Sequence, residues 1–262
     1  MNPVIIMPVI ALLFSSIGFK KYVWFISIGY GFSVAGIGLG LLLFGAYKDA
    51  GIIAACILFI LYGIRLGGYL TIREHNSSYN SKMKNEITSG DNITFFHKVA
   101  IWIAASLLYT LQTCPVTFRI INMKSSDTVL YTGLIISLTG LILETLSDIQ
   151  KSSAKKRNPE RFVDTGLFRM VRCPNYFGEM LFWTGVFLGG ITVYNTVLQW
   201  VAALLGYLGI VYVMFSGARR LEMRQNRTYG NDPEYQQYVK STPIMIPVIP
   251  LYSVEKHKWL VG

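Results

Sequence analysis

The sequence has few of the residues from which disulfide frameworks and metal sites are built. Its three cysteines and three histidines are spread along 262 residues, without the spacing of a disulfide set or a metal-ligand set. No G-x-G-x-x-G motif follows a predicted strand and no Walker A motif occurs, which argues against a soluble nucleotide-binding fold. We therefore predict no bound metal and no soluble dinucleotide domain.

Acidic residues are also scarce, because 14 Asp and Glu stand against 24 Lys and Arg, and none precedes Asp49. The net charge of +10 does not point to nucleic acid, because its position in the chain has another explanation. Twenty of the 24 basic residues lie in alternate loops and in the C-terminal tail, whereas the other loops hold only Lys48, Arg119 and Lys124. This asymmetry is the positive-inside signal, and it predicts an outside N-terminus and a cytoplasmic C-terminus.

What the sequence has in excess is apolar residues in long blocks. They make up 52% of the chain, which is typical of membrane proteins. We predict an all-α integral membrane bundle of seven transmembrane helices in a single multi-pass domain, with a cytoplasmic cap formed by loop five and the C-terminal tail. The five glycines from Gly29 to Gly40 predict that the second span packs closely against a neighbour. The predicted spans are residues 3–19, 22–46, 50–72, 97–116, 128–148, 176–194 and 196–217.

Three of the spans carry polar residues four positions apart near the predicted cytoplasmic side. These pairs are Arg65 with Tyr69, Glu144 with Asp148, and Asn175 with Glu179. Each has a plain explanation: the arginine can extend to the surface, the acidic pair can be neutralised by the lysines that follow, and Glu179 can anchor the helix at the interface. Ionisable groups inside membranes are nevertheless usually functional. We therefore predict that the pairs line one cavity.

Further candidates flank this predicted cavity. Gln112 precedes Pro115 in span four, where it can satisfy the backbone freed by that proline or contact a ligand. Pro174 is suited to the first turn of span six. Guanidinium groups suit phosphates, and the arginines that we expect to contact an anionic ligand are Arg161, Arg169, Arg172, Arg219 and Arg220.

Four polar segments of the second half form a recognisable pattern: Glu144-x-x-x-Asp148-x-Gln150, Arg161-x-x-x-x-Gly166-Leu167-Phe168, Arg172-x-Pro174-Asn175-Tyr176-x-Gly178-Glu179, and Tyr235-x-x-Tyr238 followed by Thr242-Pro243 and Pro247. Together they resemble the steroid 5α-reductase family, and more closely its bacterial relatives described only as a domain of unknown function. The segments cover about the last 125 residues; the first half matches only by its number of spans.

The resemblance implies a membrane reductase that binds NADPH in a cytoplasm-facing cavity and reduces an activated C=C bond in a steroid- or isoprenoid-like lipid. It implies that Asp148, Arg161, Asn175 and Glu179 contact the dinucleotide, and it matches Glu144 and Arg219 or Arg220 to cofactor positions. Residues 128–262 would then form the cofactor half and 1–127 the substrate half. The closeness to bacterial relatives favours a bacterial inner membrane.

The first half departs from the family pattern in its catalytic residues. In the family, a tyrosine and a glutamate from an early span polarise the enone carbonyl. Tyr69 is the tyrosine that we nominate, but the chain has no acidic residue before Asp49. Gln112 or Arg65 would have to replace the glutamate.

Two other classes of function fit part of the pattern. Isoprenylcysteine carboxyl methyltransferases have a similar tail, so a membrane methyltransferase that uses S-adenosylmethionine is the first alternative. The second is a non-catalytic lipid-binding membrane protein, which the missing early glutamate favours. In all three, membrane lipids and a lipid-like small molecule are the expected partners.

Overall fold

The computed structural model describes residues 2–74 and 93–260, and these form helices joined by short turns, with no strand among them. Helix makes up 77% of the structure, which confirms the all-α fold class. The α-helices are α1 (Pro3–Ser15), α2 (Ile28–Phe44), α3 (Ala50–Glu74), α4 (Phe95–Ile121), α5 (Thr128–Arg157), α6 (Pro174–Gly189), α7 (Val197–Tyr229) and α8 (Pro233–Ser241).

Six of the predicted spans are long and apolar enough to cross a membrane. The first is shorter: α1 ends at Ser15 and continues only as a 3-10 turn, Ser16–Phe19. The second begins with a 3-10 segment, Tyr22–Ile26. The backbone at Ser27 is not helical, and it separates this segment from α2. The helices α5 and α7 both extend well beyond the predicted ends. Their additional turns carry lysines and arginines, which favour the C-terminal end of a helix.

The chain divides into two compact units. The first unit consists of residues 1–134 and 186–207, and the second of residues 135–185 and 208–262. The boundaries fall inside α5, α6 and α7, so neither unit is a continuous stretch of sequence. The organisation as one domain, with a substrate half and a cofactor half, stays a prediction.

In the first unit, α2 packs against α3 with almost no side chain between them. A Cβ atom added to Gly31 would lie 2.5 Å from the Gly67 nitrogen, and one added to Gly38 would lie 2.7 Å from the Cys56 oxygen. Real Cβ atoms do not approach backbone this closely, so the glycines are needed for the contact. The prediction of close packing by this glycine-rich span is confirmed.

Arg119, which the sequence shows only as an isolated charge in a short loop, is buried in the first unit. Its guanidinium donates to the Gly189 oxygen at 2.9 Å and to the Thr192 hydroxyl at 3.0 Å, and it pairs with Asp127 at 3.3 Å. These bonds fasten the end of α4 to the loop after α6, so this arginine stabilises the unit.

Candidate functional site

The site in the second unit is built on a backbone contact between α5 and α6. A Cβ atom on Gly178 would lie 2.7 Å from the Glu144 nitrogen and 2.8 Å from the Gly140 oxygen. The Ser137 hydroxyl donates to the Phe182 oxygen at 2.8 Å. Contacts earlier in α5 are therefore made with later residues of α6, so the two helices run antiparallel. This contact sets Glu144, one turn beyond Gly140, against the first turns of α6.

Two glutamates are buried at this contact. Glu144 is 3% exposed on α5, and Glu179, next to Gly178 on α6, is 6% exposed. Their pair partners, Asp148 and Asn175, are half-buried. Among the described residues, no group donates a hydrogen bond to the buried Oδ1 of Asn175. A buried carbonyl oxygen without a donor is costly, so a ligand that donates there would be stabilised.

Tyr176 connects this helix contact to α7. Its ring lies so close to Gly217 that a Cβ atom there would be 3.3 Å away. Arg220 and Arg224 follow Gly217 on the next two turns of α7. Both arginines are exposed. Tyr176 and Arg224 are not among the site residues predicted from the sequence, although the spacing of four between the two arginines already placed them on one helix face.

Loop five is closed onto the end of α5 by Gln150. Its Oε1 accepts a hydrogen bond from the Leu167 nitrogen at 2.9 Å. Gly166, which precedes Leu167, has φ +63°, a conformation that favours glycine. A Cβ atom added to Gly166 would clash with the Gln150 Oε1, so the side-chain amide occupies the space beside this glycine. Two segments that the sequence resemblance picked out separately are therefore bonded to each other.

The C-terminal tail packs on loop five, as predicted, and the position of this cap on the cytoplasmic side stays a prediction. The Tyr238 hydroxyl donates to the Phe168 oxygen at 2.7 Å, and the Phe162 ring packs against those of Tyr229, Tyr235 and Tyr238. Burial raises the pKa of Tyr235 to about 12, although the nearby Arg172 acts in the opposite direction. The three tyrosines act as packing groups around Phe162, and the Tyr238 hydroxyl is also a hydrogen-bond donor.

Arg172 lies inside the cap and forms a buried ion pair. Its Nη2 donates to Glu222 Oε1 at 2.8 Å, and both side chains are 1% exposed. The other carboxylate oxygen of Glu222 accepts from the Val254 nitrogen at 2.8 Å. The structure thus gives Arg172 a role in holding the tail against α7; its predicted contact with a phosphate stays a prediction.

The main chain beside Arg172 is also bonded to the tail. The nitrogens of Arg172 and Cys173 donate to the oxygens of Pro243 and Ile244 at 2.9 and 2.8 Å. Burial raises the pKa of the Cys173 thiol to about 11, so it is protonated and unreactive at neutral pH. The helix α6 begins at Pro174, as predicted.

The other arginines predicted to contact phosphates differ in their burial and in the groups to which they are bonded. Arg161 is exposed and pairs with Asp164 at 2.9 Å and with Glu234 at 2.5 Å, and these carboxylates raise its pKa. Arg219 donates to the backbone oxygens of Glu255 and Leu260. Arg169 and Arg220 are exposed. Their contact with a dinucleotide stays a prediction.

The three predicted catalytic residues belong to the first unit. The guanidinium carbons of Arg65 and Arg73 lie 5.9 and 5.7 Å from the centre of the Tyr69 ring, so this ring is flanked by two cations on α3. Gln112 is buried on α4, and Gly206 of α7 lies close to the α4 backbone at this residue. Within the described residues, neither polar atom of the Gln112 side chain has a hydrogen-bond partner. The convergence of these residues with the buried glutamates on one cavity stays a prediction.

The contact between the α5 and α6 backbones at Gly178 can be tested by adding one methyl group to this glycine. We expect Gly178→Ala to lower the thermal midpoint, because the added Cβ must push α5 away from α6, at a cost of about 1–3 kcal/mol. Gly68→Ala is the matched control, since a Cβ there meets nothing within 4 Å and helix propensity improves. Equal midpoints for the two variants would show that the helices do not touch at Gly178.

The helices and the cap define an integral, multi-pass membrane protein of the all-helical class. The chain belongs to the family described as protein of unknown function DUF1295, whose model matches residues 14–242. No curated protein and no solved structure matches the chain.

Proposed function

We propose that this protein is a membrane-embedded reductase that uses NADPH to reduce an activated C=C bond, an enone, in a steroid- or isoprenoid-like lipid. The observation that carries the proposal is the connection between the four segments that resemble the steroid 5α-reductase family. Gln150 bonds loop five, Tyr238 bonds Phe168, and Arg172 bonds the tail, so all four segments belong to one bonded unit beside Glu144 and Glu179.

The polar groups of the second unit fit the chemistry of a dinucleotide. The Asn175 Oδ1 is buried and receives no hydrogen bond from the described residues, and a carboxamide or hydroxyl of the cofactor would supply one. The carboxylates of Glu179 and Asp148 are further acceptors for such donors. The exposed guanidinium groups of Arg220 and Arg224, on the turns of α7 that follow the Gly217 contact with Tyr176, suit phosphate oxygens.

When bound, NADPH would supply the hydride to the β-carbon, and a proton from water would complete the reduction. The protein's part is to stabilise the charge that develops on the enone oxygen. We assign this task to the Tyr69 hydroxyl as a hydrogen-bond donor, with Arg65 beside its ring. A single donor fixed near such an oxygen is worth about 3 kcal/mol. The buried amide of Gln112 is the second candidate donor, because its own hydrogen-bonding capacity is unused within the described residues.

The class of cofactor is tested by thermal unfolding of the purified protein in detergent with NADPH, NADH or S-adenosylmethionine. A ligand that binds only the folded protein stabilises it by about 2.7 kcal/mol at 100 times its Kd. We expect NADPH to raise the midpoint by several degrees and the others to raise it less. A rise with S-adenosylmethionine alone would favour a methyltransferase. No shift in a folded protein would favour a non-catalytic lipid-binding protein.

A positive result with NADPH would be followed by a screen of enone lipids, read as loss of NADPH absorbance. We propose that the cofactor site faces the cytoplasm of a bacterium, from the charge asymmetry of the loops. Inverted membrane vesicles should then oxidise external NADPH, whereas right-side-out vesicles should not.

A further inference from the structure

The turn formed by residues 254–260 is fastened to α7 by side chains of that helix. Arg219 Nε donates to the Glu255 oxygen at 3.0 Å, and Arg219 Nη1 donates to the Leu260 oxygen at 3.2 Å. The Tyr212 hydroxyl donates to the Trp259 oxygen at 3.0 Å. Leu260 is buried beneath the turn. The turn therefore has a fixed position on α7.

That position is the end of the apolar part of α7. Residues 197–218 contain no charged side chain, and Arg219 is the first charge. A helix of this length rises about 33 Å, close to the thickness of the hydrocarbon core. Arg219 thus marks the level at which α7 enters the headgroup region, and the turn that it binds lies at this level.

The side chains of the turn are those that favour a membrane interface. Trp259 is 66% exposed, and its ring lies 6.1 Å from that of Tyr212. Lys256 and Lys258 are exposed on the same turn. Tryptophan and tyrosine are enriched where hydrocarbon meets headgroups, and lysines there bind anionic lipids. The apolar surface of α7 below the turn, at Leu208 and Tyr212, is exposed too, so the surface that meets lipid continues from the helix onto the turn.

We propose that the 254–260 turn is an interfacial anchor that binds anionic phospholipids. The Trp259 indole would lie at the level of the glycerol groups, and Lys256 and Lys258 would contact the lipid phosphates. A bilayer is the partner that fits, because the exposed ring adjoins a membrane-spanning helix and the turn carries two exposed lysines. Its one carboxylate, Glu255, accepts a hydrogen bond from the Asn226 amide at 2.8 Å. The proposal does not depend on the reductase activity.

The depth of Trp259 is tested with the full-length protein in nanodiscs whose lipids are brominated near the glycerol end or near the methyl end of the acyl chain. Bromine quenches tryptophan only at close range. The part of the emission that Trp259→Phe removes should be quenched more strongly by the first lipid than by the second. Trp200→Phe is the control for interfacial depth, because Trp200 is exposed at the other end of the apolar part of α7 and should show the same order of quenching. If neither lipid quenches the Trp259 emission, the ring lies in water and the proposal fails.

The lysines are tested by thermal unfolding in nanodiscs of phosphatidylcholine, with and without phosphatidylglycerol. Wild type should gain several degrees from the anionic lipid, and the double variant Lys256→Gln, Lys258→Gln should lose at least half of that gain. Lys240→Gln is the matched control, since Lys240 is an exposed lysine on α8 outside the turn. An unchanged gain in the double variant, or an equal loss in the control, would overturn the assignment to this turn.

Discussion

Replacing Arg172 with methionine should be among the most destabilising single changes outside the membrane spans. Arg172→Met leaves the Glu222 carboxylate buried without its cation, because both side chains are 1% exposed and face each other at 2.8 Å. Breaking a buried pair from one side costs about 3–5 kcal/mol. For a chain of this size, that corresponds to a loss of at least about 6 °C in the thermal midpoint. Fluorescence-detected size exclusion after heating would measure it.

A double variant separates two effects of Arg172→Met: the loss of the ion pair itself and the burial of an unpaired Glu222 carboxylate. The double variant Arg172→Met, Glu222→Leu removes both charges, and it should recover much of the lost stability, because buried pairs are often replaceable by apolar side chains. Arg161→Gln is the control, since its pairs with Asp164 and Glu234 are exposed and pairs of this kind are worth about 0–1 kcal/mol. If Arg161→Gln and Arg172→Met lower the midpoint equally, the Arg172 pair is not buried in the folded protein.

The sequence predicted local features of this fold well. Apolar length identified six of the spans, a first-turn proline identified the start of α6, and a spacing of four placed Glu144 and Asp148 on one helix face. These features depend on residues within a few turns of one another, so their physical cause is written in a short stretch of sequence.

Tertiary pairings were not predictable in the same way. The ion pair of Arg172 with Glu222 joins residues 50 positions apart, and nothing near either residue in the sequence points to the other. Arg172 was therefore grouped with the phosphate-binding arginines, and Arg119 was counted only as a loop charge. Gly178 was noted as part of a motif, but its contact with the Glu144 backbone needs the second helix to be seen.

Replacing Glu179 with glutamine should weaken NADPH binding at least about tenfold without unfolding the protein. Glu179 is buried beside the backbone contact of α5 and α6, where an isosteric neutral side chain keeps the packing. A hydrogen bond to a charged group is worth about 1.5–3 kcal/mol, which corresponds to a roughly 10- to 150-fold weaker affinity. We expect the midpoint without ligand to change little. At 100 times the wild-type Kd, the rise with NADPH should fall to about half of the wild-type rise or less.

Glu160→Gln is the matched control for this variant, because it removes the same charge from an exposed position in loop five. It should keep the full NADPH response, since a screened surface charge contributes little to a site that it does not touch. If wild type responds to NADPH and Glu179→Gln responds equally, the cofactor lies elsewhere in the protein and the reductase proposal survives without this site. If wild type itself does not respond, the proposed cofactor is wrong. The two failures are therefore distinguished by the wild-type measurement alone.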